Sequence, residues 1–307
     1  MKDFISIGDL SSAQLIQLLD LADRLKSACK AGQGLPLLAG KTLGMIFAKS
    51  STRTRVSFEV GMVQLGGYPL FLSTQDIQLG RGETIEDTAH VLSRFLDGLM
   101  IRTFAHQDVV DLARFSTIPV INGLTDLMHP CQALADLMTV REHFGRLAGL
   151  KLAYLGDGNN VANSLLQACS KSGMHVAIAS PAGFTCDPGC ISEAHADAAR
   201  QGTSVLLTED PLQAASGADV IYADTWVSMG QEAEKAQRMT IFAPYQVNSQ
   251  VMAIASSQAA FMHCLPAYRG LEVTSSVIDG PASLVFDQAE NRLHAQKAIL
   301  VTLMGQN

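Results

Sequence analysis

The stretch KTLGMIFAKSSTRTRVSFEVGMVQLG (residues 41–66) divides into three parts. KTLGMIFA (41–48) is a short apolar run and reads as a buried strand. RVSFEVGMVQLG resumes with helical spacing, so a helix opens around Thr52 to Thr54. Between them, two arginines and five hydroxyl side chains crowd into the nine positions 49–57. A helix start carries unpaired N–H groups and the positive end of the macrodipole. Ser51, Thr52 and Thr54 add hydroxyls, while Arg53 and Arg55 add forked donors suited to phosphate. Capping alone explains one hydroxyl; the whole set points to a bound anion.

The strand–turn–helix unit repeats along the chain. GLMIR (98–102) and IPVIN (118–122) read as strands around the helix DVVDLARF. LKLAYLGD (150–157) opens a second series, continued by HVAIASP, SVLLTE, DVIYAD and AAFMHCLP. Alternating strands and helices define an α/β protein with parallel sheets. At 307 residues the chain suggests two domains of about 150 residues each. The boundary is expected near residue 150, after the helix in CQALADLMTVREHFGRL. The first domain is then 1–150 and the second 151–307. The apolar terminal helix (about 284–305) is expected to pack back on the first domain.

Composition narrows the function classes. Hydrophobic residues make up 48% and charged residues 17%, which fits a packed globular enzyme. A net charge of −7 with no long basic run speaks against a nucleic-acid surface. MKDFISIGDLSS has no signal-peptide pattern, and no apolar window is long enough to span a membrane. The six cysteines (Cys29, Cys131, Cys169, Cys186, Cys190, Cys264) are scattered as in reduced cytosolic chains. CDPGC (186–190) lacks the second Cys/His pair a metal site needs. The expected location is therefore the cytoplasm.

Four further stretches carry chemistry. In DLMHPCQALADLM (126–138), Pro130 suits a first helical position, placing His129 at the helix start and Gln132 on its first turn. A positive helix end disfavours a protonated imidazole, which suits a neutral donor to a carbonyl. GDGNNVANSLLQA (156–168) resembles a dinucleotide turn, but Val161 stands where a small residue is needed. The following strand ends in Ser180-Pro181 with no acid for a ribose hydroxyl. That turn can instead present Asn159 or Asn160 to a small ligand. YADTWVSMG (222–230) sets Asp224 past a strand end to meet an ammonium, with Ser228 nearby for a carboxylate. MHCLP (262–266) ends another strand with Cys264 at its tip.

Taken together, these motifs resemble the aspartate/ornithine carbamoyltransferase family. FAKSSTRTR is similar to its carbamoyl-phosphate motif and HPCQALAD to its second signature. DTWVSMG and HCLP resemble the amino-acid motifs of the ornithine branch. DIQLGRGETIEDTAHVLSRFLDG and VFDQAENRLHAQKA also match. The resemblance implies that Ser51, Thr52, Arg53 and Thr54 cradle the phosphate and that Arg102 binds phosphate and carbamoyl oxygen. It implies that His129 and Gln132 hold the carbamoyl group, with Gln78 reaching the site of a neighbouring subunit. Asn160, Asp224, Ser228 and Met229 match ornithine-binding positions. Cys264, Leu265 and Arg292 match residues lining the join of the two substrates. The implied fold is two α/β domains, each a parallel sheet flanked by helices, bridged by interdomain helices. The implied assembly is a trimer or a multiple of trimers. The implied reaction gives citrulline and phosphate from ornithine and carbamoyl phosphate, in arginine metabolism, and calls on no metal or cofactor. Arg55 and Glu59 read as a structural i,i+4 pair.

Overall fold

The computed structural model describes residues 1–74, 77, 82–227 and 232–305. Two compact units divide the chain: Met1–Met138 with Glu290–Asn307, and Thr139–Ala289. Both divisions fall inside helices, Pro130–Phe144 and Val285–Met304.

The first unit is built on four parallel strands: Thr42–Phe47 (β1), Tyr68–Ser73 (β2), Gly98–Arg102 (β3) and Val120–Leu124 (β4), in the order β2-β1-β3-β4. The buried β1 and β3 read as unbroken apolar runs because both faces are covered. Ile46, Leu99, Ile101 and Val120 pack with Val109 and Leu112 of helix His106–Phe115. A register shift at Ile101/Arg102 brings Arg102 opposite Leu124 at the carboxyl end of the sheet. Helix Thr52–Gln64 follows β1, capped by Ser51, whose Oγ accepts the Thr54 N–H at 3.2 Å.

The second unit holds five parallel strands: Lys151–Leu155 (β5), His175–Ala179 (β6), Val205–Thr208 (β7), Val220–Ala223 (β8) and Ala260–His263 (β9). Their order is β7-β6-β5-β8-β9. Starting in the middle and reversing direction creates the switch point at which doubly wound sheets place ligands. Asp224 directly follows β8 and Cys264 directly follows β9, neighbours in the sheet.

Strand β4 begins two residues later than the apolar run at 118–122 suggested, because its partners are set by β3. Strand β2 escaped the sequence reading: YPLFLS lies at the sheet edge with no residue fully buried, so the apolar signal is weak. The Arg55–Glu59 pair is present at 2.9 Å, with the Arg55 guanidinium 3.8 Å from the Phe71 ring centroid.

Candidate active site

In the first unit, one guanidinium gathers three of the singled-out residues. Arg292, only 3% exposed, donates from Nη1 to Gln132 Oε1 at 2.5 Å and from Nη2 to Thr54 Oγ1 at 3.0 Å. Its Nη1 also lies 3.3 Å from His129 Nε2. Thr54 reaches this point as the buried residue of the first turn of helix 52–64, while Thr52 and Arg53 stay exposed. Pro130 opens helix 130–144, placing His129 just before it and Gln132 on its first turn. Asp136, one turn on, accepts from Gln132 Nε2 at 2.8 Å and leaves Oε1 for Arg292.

His129 is buried, and its pKa lies well below the ordinary histidine range. Desolvation is the largest cause, followed by the positive charges of Arg292, Arg102 and Arg53. The dominant cause is thus burial among cations rather than the helix end. A guanidinium only donates, so Nε2 accepts from Arg292 and the neutral ring carries its proton on Nδ1. Arg102 is itself buried at the end of β3. Beside it, Lys49 pairs with Asp126 and sits 4.1 Å from the Phe104 ring centroid. Cys131, two residues after His129, is a neutral thiol: burial pushes its pKa up to about 12.

The second unit gathers another set around Asp224, which is 8% exposed. Asn159 donates from Nδ2 to Asp224 Oδ2 at 2.8 Å, and the Cys264 thiol donates to Asp224 Oδ1 at 3.1 Å. Asn159 also caps helix Asn160–Lys171, accepting from Val161 N and Ala162 N at 2.9 and 3.2 Å. Of the two adjacent asparagines, therefore, Asn159 fixes the turn and Asn160 occupies the first helical position. Leu265, at φ 58°, is the one non-glycine residue with positive φ among those described, and a cis peptide joins it to Pro266. Its N–H donates to His263 Nδ1 at 2.9 Å.

Sequence reasoning missed the residues that brace these groups. Arg238, 3% exposed, donates from Nε to the Trp226 carbonyl at 2.6 Å and pairs through Nη2 with Asp157. The guanidinium lies 4.9 and 5.1 Å from the ring centroids of Phe184 and Phe242. Desolvation raises the Asp157 pKa, opposed by Arg238. His263 and Glu272, both buried, face each other at 3.3 Å, and Glu272 accepts the Tyr268 N–H at 2.5 Å. An isolated Arg or His in a helical or apolar run gives no sign of such a role.

Asp224, His263 and Cys264 each bring one possible metal-ligand atom within 4.8 Å of the others. The His263 Nδ1 lone pair is already engaged by the Leu265 N–H and Nε2 faces Glu272. A metal would have to displace one of these contacts, and the set fits an ion poorly. Gln78, Ser228 and Met229 lie outside the described residues.

Two parallel-sheet units, with a basic helix mouth on one and a carboxylate–thiol pair on the other, define an α/β protein of two units. The carbamoyl-P binding domain of aspartate/ornithine carbamoyltransferases matches residues 2–142, and their Asp/Orn binding domain matches residues 148–303. The chain belongs to the aspartate/ornithine carbamoyltransferase family. It is 57% identical to an ornithine carbamoyltransferase of Carboxydothermus hydrogenoformans over 99% of this chain and 98% of that one. To the ornithine carbamoyltransferase of Symbiobacterium thermophilum it is 59% identical, with the same coverage. The solved ornithine carbamoyltransferase of Pyrococcus furiosus superposes with a TM-score of 0.96 at 53% identity, covering 99% of this chain and 97% of that one.

Proposed function

We propose that this chain transfers the carbamoyl group of carbamoyl phosphate to the side-chain amine of L-ornithine, giving L-citrulline and phosphate. The observation that carries the reading is the Arg292 fork, which orients Thr54, His129 and Gln132 beside the basic start of helix 52–64. Ser51, Thr52, Arg53 and Thr54 hold the phosphate with the helix N–H groups, joined by Arg102 and Gln78. His129, neutral and protonated on Nδ1, donates to the carbamoyl oxygen. Together with Thr54 and Arg102 it stabilises the charge that grows there during attack. Gln132 and Arg292 fix the carbamoyl group.

On the acceptor side, Asp224 takes the ornithine α-ammonium, and Asn160, Ser228 and Met229 complete the site. Cys264 and Leu265 line the position of the attacking amine. The Cys264 thiol donates to Asp224, and no covalent step is needed. The amine must shed a proton first: its reference pKa of about 10.4 makes this cost about 5 kcal/mol at neutral pH. The departing phosphate can accept the proton released on attack.

The reading extends to a biosynthetic direction in arginine metabolism, a cytoplasmic location and a trimer-based assembly. For the assembly, helix 52–64 exposes Val56, Val60 and Val63 on one stripe, an apolar face for a second copy. The 1–150 and 151–307 segments would serve carbamoyl phosphate and ornithine respectively.

The deciding experiment offers carbamoyl phosphate with ornithine, putrescine, acetylornithine or aspartate and follows each product. Citrulline formed well above the others is expected. A different preferred amine would overturn the acceptor assignment, and no product with any would overturn the catalytic reading.

A further inference from the structure

Apart from the residues assigned above, the unit Thr139–Ala289 carries a cavity of about 320 Å³ at the carboxyl ends of β6 and β7. Its floor follows the strand register. Ile178 stands opposite Leu207, and by the period of two Ser180 and Glu209 continue the same face. An apolar row therefore gives way to a polar one. Thr185 and Cys186 line the cavity from the segment after β6. Ser180 is 5% exposed, and its hydroxyl has no hydrogen-bond partner. A buried hydroxyl left this way is costly unless something answers it. Cys186 is a neutral thiol, its pKa pushed up to about 12 by burial first and then by Cys190, Asp157 and Asp187. Among the described residues no lysine or arginine lines the cavity, and Glu209 stands exposed at its rim.

These features select the ligand. In a doubly wound sheet the strand ends next to the first β-turn receive nucleosides, with an acid holding the ribose hydroxyls. The acid missing at Ser180 stands one strand over, as Glu209. The route by which a diphosphate would cross to the helix start is closed. Gly158 donates its N–H to the Phe184 carbonyl at 2.8 Å, and a Cβ there would lie 2.3 Å from Cys186 N. Segment 184–186 thus lies directly against the turn, and Glu209 and Asp187 repel anions. We propose that the cavity binds an uncharged nucleoside, its base on Ile178 and Leu207 and its ribose diol donating to Glu209, with the Ser180 hydroxyl bonding the ring. This does not depend on the carbamoyl-transfer reading.

The test is calorimetric titration of the full-length protein with adenosine, uridine, 2′-deoxyadenosine and adenosine 5′-monophosphate. Saturable one-to-one binding of adenosine or uridine is expected. Hydrogen bonds to a charged group typically change affinity by about tenfold or more, so loss of the 2′-hydroxyl or Glu209→Gln should weaken adenosine that far. The monophosphate should also bind more weakly, and Leu207→Trp, at a partly exposed floor position, should block the site. Glu209→Gln should leave carbamoyl transfer unchanged. Absence of saturable nucleoside binding at millimolar concentration would overturn the proposal. So would binding indifferent to Glu209→Gln, or binding that survives Leu207→Trp.

Discussion

Arg292 Nη1 lies 3.3 Å from His129 Nε2, so the imidazole accepts from a cation and is held neutral by its burial first and by that charge second. Removing that cation has two separable effects. Arg292→Gln frees Thr54, His129 and Gln132 from their common donor, and the loss of an oriented charge-stabilising group costs about 100- to 1000-fold in kcat. It also removes one of the charges that depress the His129 pKa, which should rise. Steady-state rates together with an NMR titration of His129 check both. An unchanged titration with unchanged kcat would contradict the arrangement.

Asn159 joins two tasks, capping helix 160–171 and donating to Asp224. Asn159→Ala loses the cap, at a cost of about 1–2 kcal/mol, and also the contact to Asp224. Asn159→Asp keeps the capping oxygen but sets a second carboxyl against Asp224. The aspartate variant should therefore lie above the alanine variant in cap-dependent helix stability while raising KM for ornithine at least as much. Urea unfolding beside ornithine saturation curves separates the two. Equal KM values in both variants and wild type would leave Asn159 with the cap alone.

Arg238 holds the turns on both sides of the acceptor residues, through Asp157 and through the Trp226 carbonyl. Arg238→Lys retains a charge but cannot reach both partners with one ammonium. KM for ornithine should rise by about tenfold, while KM for carbamoyl phosphate stays near its original value. Equal changes in the two KM values would mark a general loss of folding instead.

The parts of the fold visible in the sequence were those with strong local signals. GLMIR matches β3 residue for residue because both its faces are buried, and Pro130 marks its helix start. The edge strand β2 is half-exposed and gave no such run. At the site, hydroxyls and arginines packed into one turn announced an anion. The braces Asp136, Arg238, His263 and Glu272 did not, since each works through a partner distant in sequence or one turn away, and spacing alone does not reveal a contact. Asn159 and Asn160 were both in view, but only the cap geometry separates their roles.

His294, 1% exposed on helix 285–304, has its pKa lowered to about 4. Burial is the main cause, reinforced by Lys297 and Lys26 and opposed by Glu290. The unfolded chain binds this proton near pH 6.5 and the folded chain only near pH 4. The contribution to stability is therefore fully present above pH 6.5 and is lost as pH falls toward 4. His129 acts in the same direction. The urea midpoint should fall between pH 7 and pH 4.5, and less steeply in His294→Asn. Parallel curves for the two proteins would rule out this source.

The reaction itself should follow the acceptor amine. At pH 6 to 9 only a small fraction of a group with pKa about 10.4 is deprotonated, so kcat/KM for ornithine should climb nearly tenfold per pH unit at first. Desolvation of the bound amine acts in the complex, so it shows in kcat, which should level off at a lower pH than kcat/KM. His129 adds no break in this range, because its pKa lies well below the ordinary histidine value and the ring stays neutral throughout. In Arg292→Gln, where the His129 pKa rises, an additional acid limb should enter the profile from the low-pH side. A wild-type profile flat from pH 6 to 9 would mean that deprotonation of the amine does not limit the reaction. The same acid limb in wild type and variant would separate it from His129.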